Sequence, residues 1–129
     1  MIVLCLASFF KGPGFLQELA DQGCQVVLVT TQEVYNSTWP ACVWERFCLP
    51  KLENFEEVRK AVGYLARSRD FAAILPLDEY VVDLAAALRE HLRIPGMGVT
   101  KAARFRDKYL MRIMAHEAGI RVPEFSGVL

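Results

Sequence analysis

Four short apolar runs at long intervals constrain this chain more than any other feature. Ile2–Ala7 (IVLCLA), Gln25–Thr30 (QVVLVT), Arg46–Leu49 (RFCL) and residues 71–77 (FAAILPL) are each too brief for a buried helix and are rich in residues that favour strands. The first, second and fourth are apolar throughout instead of alternating, as expected of strands covered on both faces. Helical patterns fill most of the intervals, and strands joined by helical crossovers pair in parallel with a right-handed connection. The expected fold is therefore α/β: an open, doubly wound, mostly parallel sheet of four or five strands with helices on both faces.

Between the first two runs, Phe15, Leu16, Leu19 and Ala20 recur at helical spacing, and Gly23 supplies a left-handed terminator. Residues 31–45 (TQEVYNSTWPACVWE) carry neither period and read as a long loop before the short third strand. Asn54 with Glu57 forms a capping box for a helix whose apolar stripe is Phe55, Val58, Ala61, Val62, Leu65 and Ala66. Asp78 caps the next helix, which runs through Val82, Ala85, Leu88 and Leu92. Ile94-Pro95-Gly96 marks an exit with room for a short edge strand, and Thr100 caps a brief helical turn. A last helix begins at Arg106-Asp107-Lys108, presents Leu110, Ile113, Met114 and Ala118, and ends at Gly119 ahead of Val122-Pro123.

At 129 residues the chain is sized for one core. Its 15 basic and 15 acidic side chains leave no charge excess, so nothing favours nucleic acid. Cys5, Cys24, Cys42 and Cys48 have no C-x-x-C or metal-type spacing with His91 and His116, so neither a metal nor a disulfide framework is expected, and a reducing cytoplasm is the simpler setting. The opening MIVLCLASFFK lacks a basic flank and a cleavage motif and is too short to span a bilayer. It reads as a buried first strand, with no membrane association expected.

Ligands of an open parallel sheet bind beyond the carboxyl ends of the strands, which directs attention to the residues just after Ala7, Thr30, Leu49 and Leu75. In SFFKGPG, Lys11 and Gly12 suit either an anion at the next helix or a plain βα turn; the motif matches neither the dinucleotide nor the P-loop fingerprint. Glu79 is not needed to cap a helix, so it either faces the crevice, holding a substrate amine or hydroxyl, or complements the helix dipole. Lys101, Arg104, Arg106, Lys108 and Arg112 form a small basic set that reads equally as a solvated helix face. His116-Glu117 is not a zinc motif, because Ile120 occupies the place of the second histidine. Trp39 and Trp44 either cover an apolar edge or form a contact surface.

ILPLDEYVVDLAAALREHLRIPGMG followed by RFRDKYLMRIMAHEAGIRVPEF resembles the N-terminal, pre-ATP-grasp region of ATP-grasp ligases such as biotin carboxylase, the carbamoyl phosphate synthetase large subunit, the purine-pathway carboxylases and amino-acid ligases. The wording carries over residues 74–125, the pattern of elements over the whole chain, and the most specific part is the R-D-K helix with its A-G-I-x-V-P exit. The resemblance implies a parent protein that binds ATP and magnesium in later subdomains, activates a carboxylate as an acyl phosphate and lets an amine or other nucleophile displace phosphate. It implies contact of Lys108 with the ATP phosphates and of Glu79 with the substrate. It also implies a division into an α/β domain at 1–98, connecting helices at 99–119 and the start of the ATP-grasp domain at 120–129. On this reading the chain is a piece of a longer protein, inactive alone and binding no cofactor alone. Its partner is the rest of that protein, and the uncovered surface around Ile120, Val122 and Phe125 promotes self-association as a homodimer. The alternative is a stand-alone flavodoxin-like binding or regulatory module. A receiver version lacks its acidic pair, since Ser8 and Phe9 come directly after the first strand.

Overall fold

The computed structural model describes residues 1–124. Four strands, β1 (Ile2–Ala7), β2 (Gln25–Thr31), β3 (Val43–Leu49) and β4 (Phe71–Pro76), form one sheet in the order β3-β2-β1-β4, with every neighbouring pair parallel. The intervening helices are α1 (Pro13–Asp21), α2 (Phe55–Ala66) and α3 (Val82–Leu92), the last preceded by a 3-10 turn at Glu79–Val81. Two more, α4 (Val99–Arg106) and α5 (Lys108–Glu117), complete the described elements. The α/β parallel architecture expected from the apolar runs is the one observed, with four strands among the described residues.

Alternation along the central strands splits the core in two. Leu4 and Leu6 of β1 and Val27 and Val29 of β2 pack with Val58, Val62 and Leu65 of α2 and Leu84, Ala85 and Leu88 of α3. Val3, Cys5 and Ala7, with Val26 and Leu28, face the other way, onto Leu16 of α1 and Trp39. Both faces of β1 and β2 are thus dry, which explains why their sequences show no polar alternation.

The edge strands differ from the central pair. On β4, Leu77 N–H donates to the Leu6 carbonyl, so by alternation Pro76 turns its donor-free nitrogen to the open edge. Arg89 reaches back from α3 and donates from Nε and Nη2 to the Ile74 carbonyl at 2.9 and 2.7 Å, and from Nη1 to the Met97 carbonyl at 2.8 Å. Burial lowers the pKa of this guanidinium from its usual value. On β3, Glu45 is held by Arg69 through two bonds of 2.6 Å, a bidentate pair that makes a charged residue tolerable in a strand.

The structure corrects some expectations and bears out others. The third strand starts at Val43, three positions before Arg46, because Val43 already pairs with Val26; its polar and exposed residues disguised an edge strand as loop. Trp39 belongs to the core, its indole N–H donating to the Val34 carbonyl at 2.9 Å and its ring meeting Phe10 edge-on at 4.8 Å, whereas Trp44 is half exposed. Phe15, expected on the buried stripe of α1, is 46% exposed. Asp78 caps the 3-10 turn and not α3 directly. Gly98, not Thr100, is the N-cap of α4, with no side-chain cap; the Val99 N–H instead donates to Glu90 Oε1. No strand forms near Ile94-Pro95-Gly96; the αL residue Arg93 ends α3 and leads into a turn. Ile120 is 61% exposed and Val122 partly so, while Phe125 lies outside the described residues.

Candidate functional site

β1 is flanked by β2 on one side and β4 on the other, so the chain reverses its direction of travel across the sheet between them. At such a switch point the loops after the two strands diverge and leave a crevice. Here the divergence is pinned by one carboxylate. Asp78, only 8% exposed, accepts from the Ser8 N–H at 2.7 Å, the Ser8 hydroxyl at 2.8 Å and the Tyr80 N–H at 3.1 Å, with a longer approach of 3.4 Å from the Phe9 N–H. The residue that caps the turn after β4 therefore also fixes the first two residues after β1. Beside it the buried Thr30 hydroxyl donates to the Ala7 carbonyl at 2.7 Å and ties the tips of β1 and β2.

A cleft of about 650 Å³ opens over these tips. Ser8 and Phe9 enter it after β1, Thr31 and Glu33 from the end of β2, Lys51 and Glu53 after β3, and Tyr80 after β4. Arg106, the last residue of α4, reaches the same space, its guanidinium 5.3 Å from the centre of the Tyr80 ring. Phe9 meets that ring edge-on at 5.4 Å, making an aromatic wall with a cation laid over it. Glu33, Lys51 and Glu53 make no ion pair among the described residues, and the Thr31 hydroxyl oxygen is buried without a hydrogen-bond partner among them. A mouth with charges of both signs, an aromatic wall and a spare hydroxyl is equipped to hold a small polar molecule. Among the described residues no three His, Cys, Asp or Glu side chains are grouped to hold a metal ion. Cys5 offers no nucleophile, since burial pushes its thiol up to about 12.

Lys11, Gly12, Glu79 and Lys108, singled out from the sequence, are not among the residues that line this cleft. Gly12 is the N-cap of α1 with φ 78°, a conformation that suits glycine, and Lys11 beside it is exposed. Glu79 is exposed in the first position of the 3-10 turn, and Lys108 is exposed at the first position of α5, after Asp107 has capped that helix through the Tyr109 and Leu110 N–H groups. Of the basic set, Arg106 alone lines the cleft. Tyr80, Lys51 and Glu53 gave no signal beyond lying shortly after a strand. The strand-tip rule located them as a group, without naming them.

The same fold occurs in solved enzymes. An L-amino acid ligase from Bacillus licheniformis superposes with a TM-score of 0.82 over 95% of this chain, at 20% identity. The shared part is the four-stranded, all-parallel α/β fold. Phosphoribosylglycinamide synthetase from Anaerococcus prevotii matches 92% of the chain with a TM-score of 0.71 and 16% identity. The biotin carboxylase domain dimer of the Hydrogenobacter thermophilus 2-oxoglutarate carboxylase, in complex with MgADP, ADP and bicarbonate, matches 90% with a TM-score of 0.63 and 16% identity. All three are ATP-grasp enzymes, and this chain spans only 27–32% of their lengths. No protein-family model and no curated protein matches the sequence. No helix among the described residues is long and apolar enough to cross a membrane.

Proposed function

We propose that this chain is the substrate-side, N-terminal domain of an ATP-dependent carboxylate–amine ligase that works through an acyl phosphate. The observation that carries the reading is the strand-tip cleft, open and lined by Lys51, Arg106, Glu33 and Glu53, on a fold shared with ligases about three times as long. The α/β domain is assigned to residues 1–98, the connecting helices to 99–119 and the passage into the ATP-binding part to 120–129. ATP and magnesium are held by that later part; when bound, they supply the phosphoryl group that turns the carboxylate into a mixed anhydride.

This chain's own residues orient and desolvate the substrates. Arg106 and Lys51 offer charge-assisted donors to a carboxylate, and Glu33 and Glu53 offer acceptors to an ammonium. The Phe9–Tyr80 wall excludes water on one side. Lys108, exposed at the start of α5, would contact the ATP phosphates, Glu79 would take a substrate amine or hydroxyl, and the Lys11-Gly12 turn would offer a side-chain cation and backbone N–H groups to an anion. The amine attacks the acyl carbon, phosphate departs with the electrons of the C–O bond, and the amine loses a proton.

The test compares two proteins. The 129-residue chain mixed with ATP, magnesium, carboxylates and amines is expected to release no ADP. The longer protein is expected to release it, and Lys108→Ala there is expected to raise the KM for ATP. Sustained ADP release by the chain alone, or unchanged ATP affinity in the variant, would overturn the respective assignment.

A further inference from the structure

Tyr80 separates the cleft from a second hollow of about 320 Å³, and Leu52, Glu53 and Tyr80 line both. The far walls of this hollow are apolar: Phe55 opens α2, Leu84 and Ala87 come from α3, and Val99 opens α4. Its charged residues are Glu53 and Asp83, and no Lys, Arg or His lines it. Glu45 and Glu56 elsewhere on the surface are matched by Arg69 and Arg59, but neither the Glu53 nor the Asp83 carboxylate makes an ion pair or a side-chain hydrogen bond among the described residues. The hollow thus pairs an apolar interior with two carboxylates that have no ion-pair partner among the described residues, the cation on its shared wall being Arg106 on the far side, over the Tyr80 ring.

We propose that this hollow is a subsite for a small amine carrying an apolar substituent. The apolar walls remove a single ring or branched alkyl group from water, and the two carboxylates attract the ammonium to which that group is attached. An anionic ligand of the same shape meets two like charges and no counter-ion. A volume near 300 Å³ is at the small end for ligand pockets, which limits the substituent to about one ring. Naming this amine as the nucleophile or substrate of the ligase rests on the function proposed above; the preference of the hollow for it does not.

Titration of the 129-residue chain with phenethylamine, 2-phenylethanol and 3-phenylpropionate, followed by amide chemical shifts, tests the assignment. Phenethylamine is expected to saturate and to shift Ala87 and Val99, with 3-phenylpropionate at least about tenfold weaker. Ala87→Phe fills the hollow from α3 and should weaken the amine about tenfold; Val99→Trp fills it from α4 and serves if the first variant melts early. Asp83→Asn should weaken the amine about threefold and leave 2-phenylethanol unchanged. Equal affinity for all three probes, or undiminished amine binding in a folded filling variant, overturns the proposal. So does failure of the amine to bind while the amides of Ala87 and Val99 become protected as protein concentration rises, since polypeptide then occupies the hollow. ADP release by the longer protein is read separately, so the ligase reading and the subsite can fail independently.

Discussion

Replacing Asp78 probes whether one carboxylate holds the switch point open. Its bonds to the Ser8 N–H and hydroxyl involve a charged acceptor, for which about 1.5–3 kcal/mol is typical, and the Tyr80 N–H bond acts as a cap, typically about 1 kcal/mol. The 3.4 Å approach from Phe9 is too long to count. At the low end of these figures the two Ser8 bonds and the cap together put the cost of Asp78→Ala at about 4 kcal/mol, a large part of the roughly 5–15 kcal/mol by which a domain is stable. Asp78→Asn keeps one carbonyl acceptor and should cost about half as much. In urea, with a slope of about 1–3 kcal/mol per molar, the alanine variant should unfold at a midpoint lower by at least about 1 M with the slope unchanged. Amide exchange should quicken at Ser8 and Tyr80 while α1 stays protected. An alanine variant within about 1 kcal/mol of the parent protein would refute the claim that this carboxylate pins the two strand tips.

The edges and turns of the fold give three further expected outcomes. The Arg69 hydrogen bonds hold Glu45 below the usual carboxylate range, so its stabilisation is fully present above the unfolded-state pKa and fades as pH falls through the lower folded one. Parent and Glu45→Gln midpoints should differ at neutral pH and converge in acid; a pH-independent difference would exclude the ion pair as its source. Arg89→Met removes the guanidinium from the Ile74 and Met97 carbonyls and should cost about 2 kcal/mol; it should also expose the β4 edge, seen as concentration-dependent light scattering greater than the parent's. Gly12→Ala must place a side chain at φ 78°, 3.4 Å from Leu77, and should lower stability by about 1 kcal/mol in thermal melts, a cost that Gly14→Ala, with open space around it, should not share.

The parts of the fold that were legible share a physical cause. IVLCLA and QVVLVT are buried on both faces, so their composition carries the strand signal without tertiary help; FAAILPL, expected to be covered on both faces, is an edge strand with only Phe71 and Ile74 buried, and its apolar composition still marked it. Asn54 and Gly23 act through their own backbone neighbours: Gly23 turns at φ 92°, as read, and Asn54 accepts from the Glu57 N–H, which is one half of the expected capping box, with no return bond from the Glu57 side chain among the described residues. β3 was only partly legible because an edge strand borrows its stability: VWERFCL is a strand because β2 offers hydrogen bonds and Arg69, far along the chain, neutralises Glu45.

The candidate site divides the same way. Parallel strands joined by helices already imply a cleft at the strand tips, so Ser8 and the residues after Leu49 and Leu75 were marked as a region by local pattern alone. Which side chains share that space was decided by packing. Arg106 arrives there because α4 lies on α3, and Tyr80 faces it because Asp78 ties the turn after β4 to Ser8 across seventy positions of chain. Periodicity and capping are short-range and can be read from neighbours; electrostatic and aromatic contacts between distant segments exist only once the sheet order β3-β2-β1-β4 has brought those segments together.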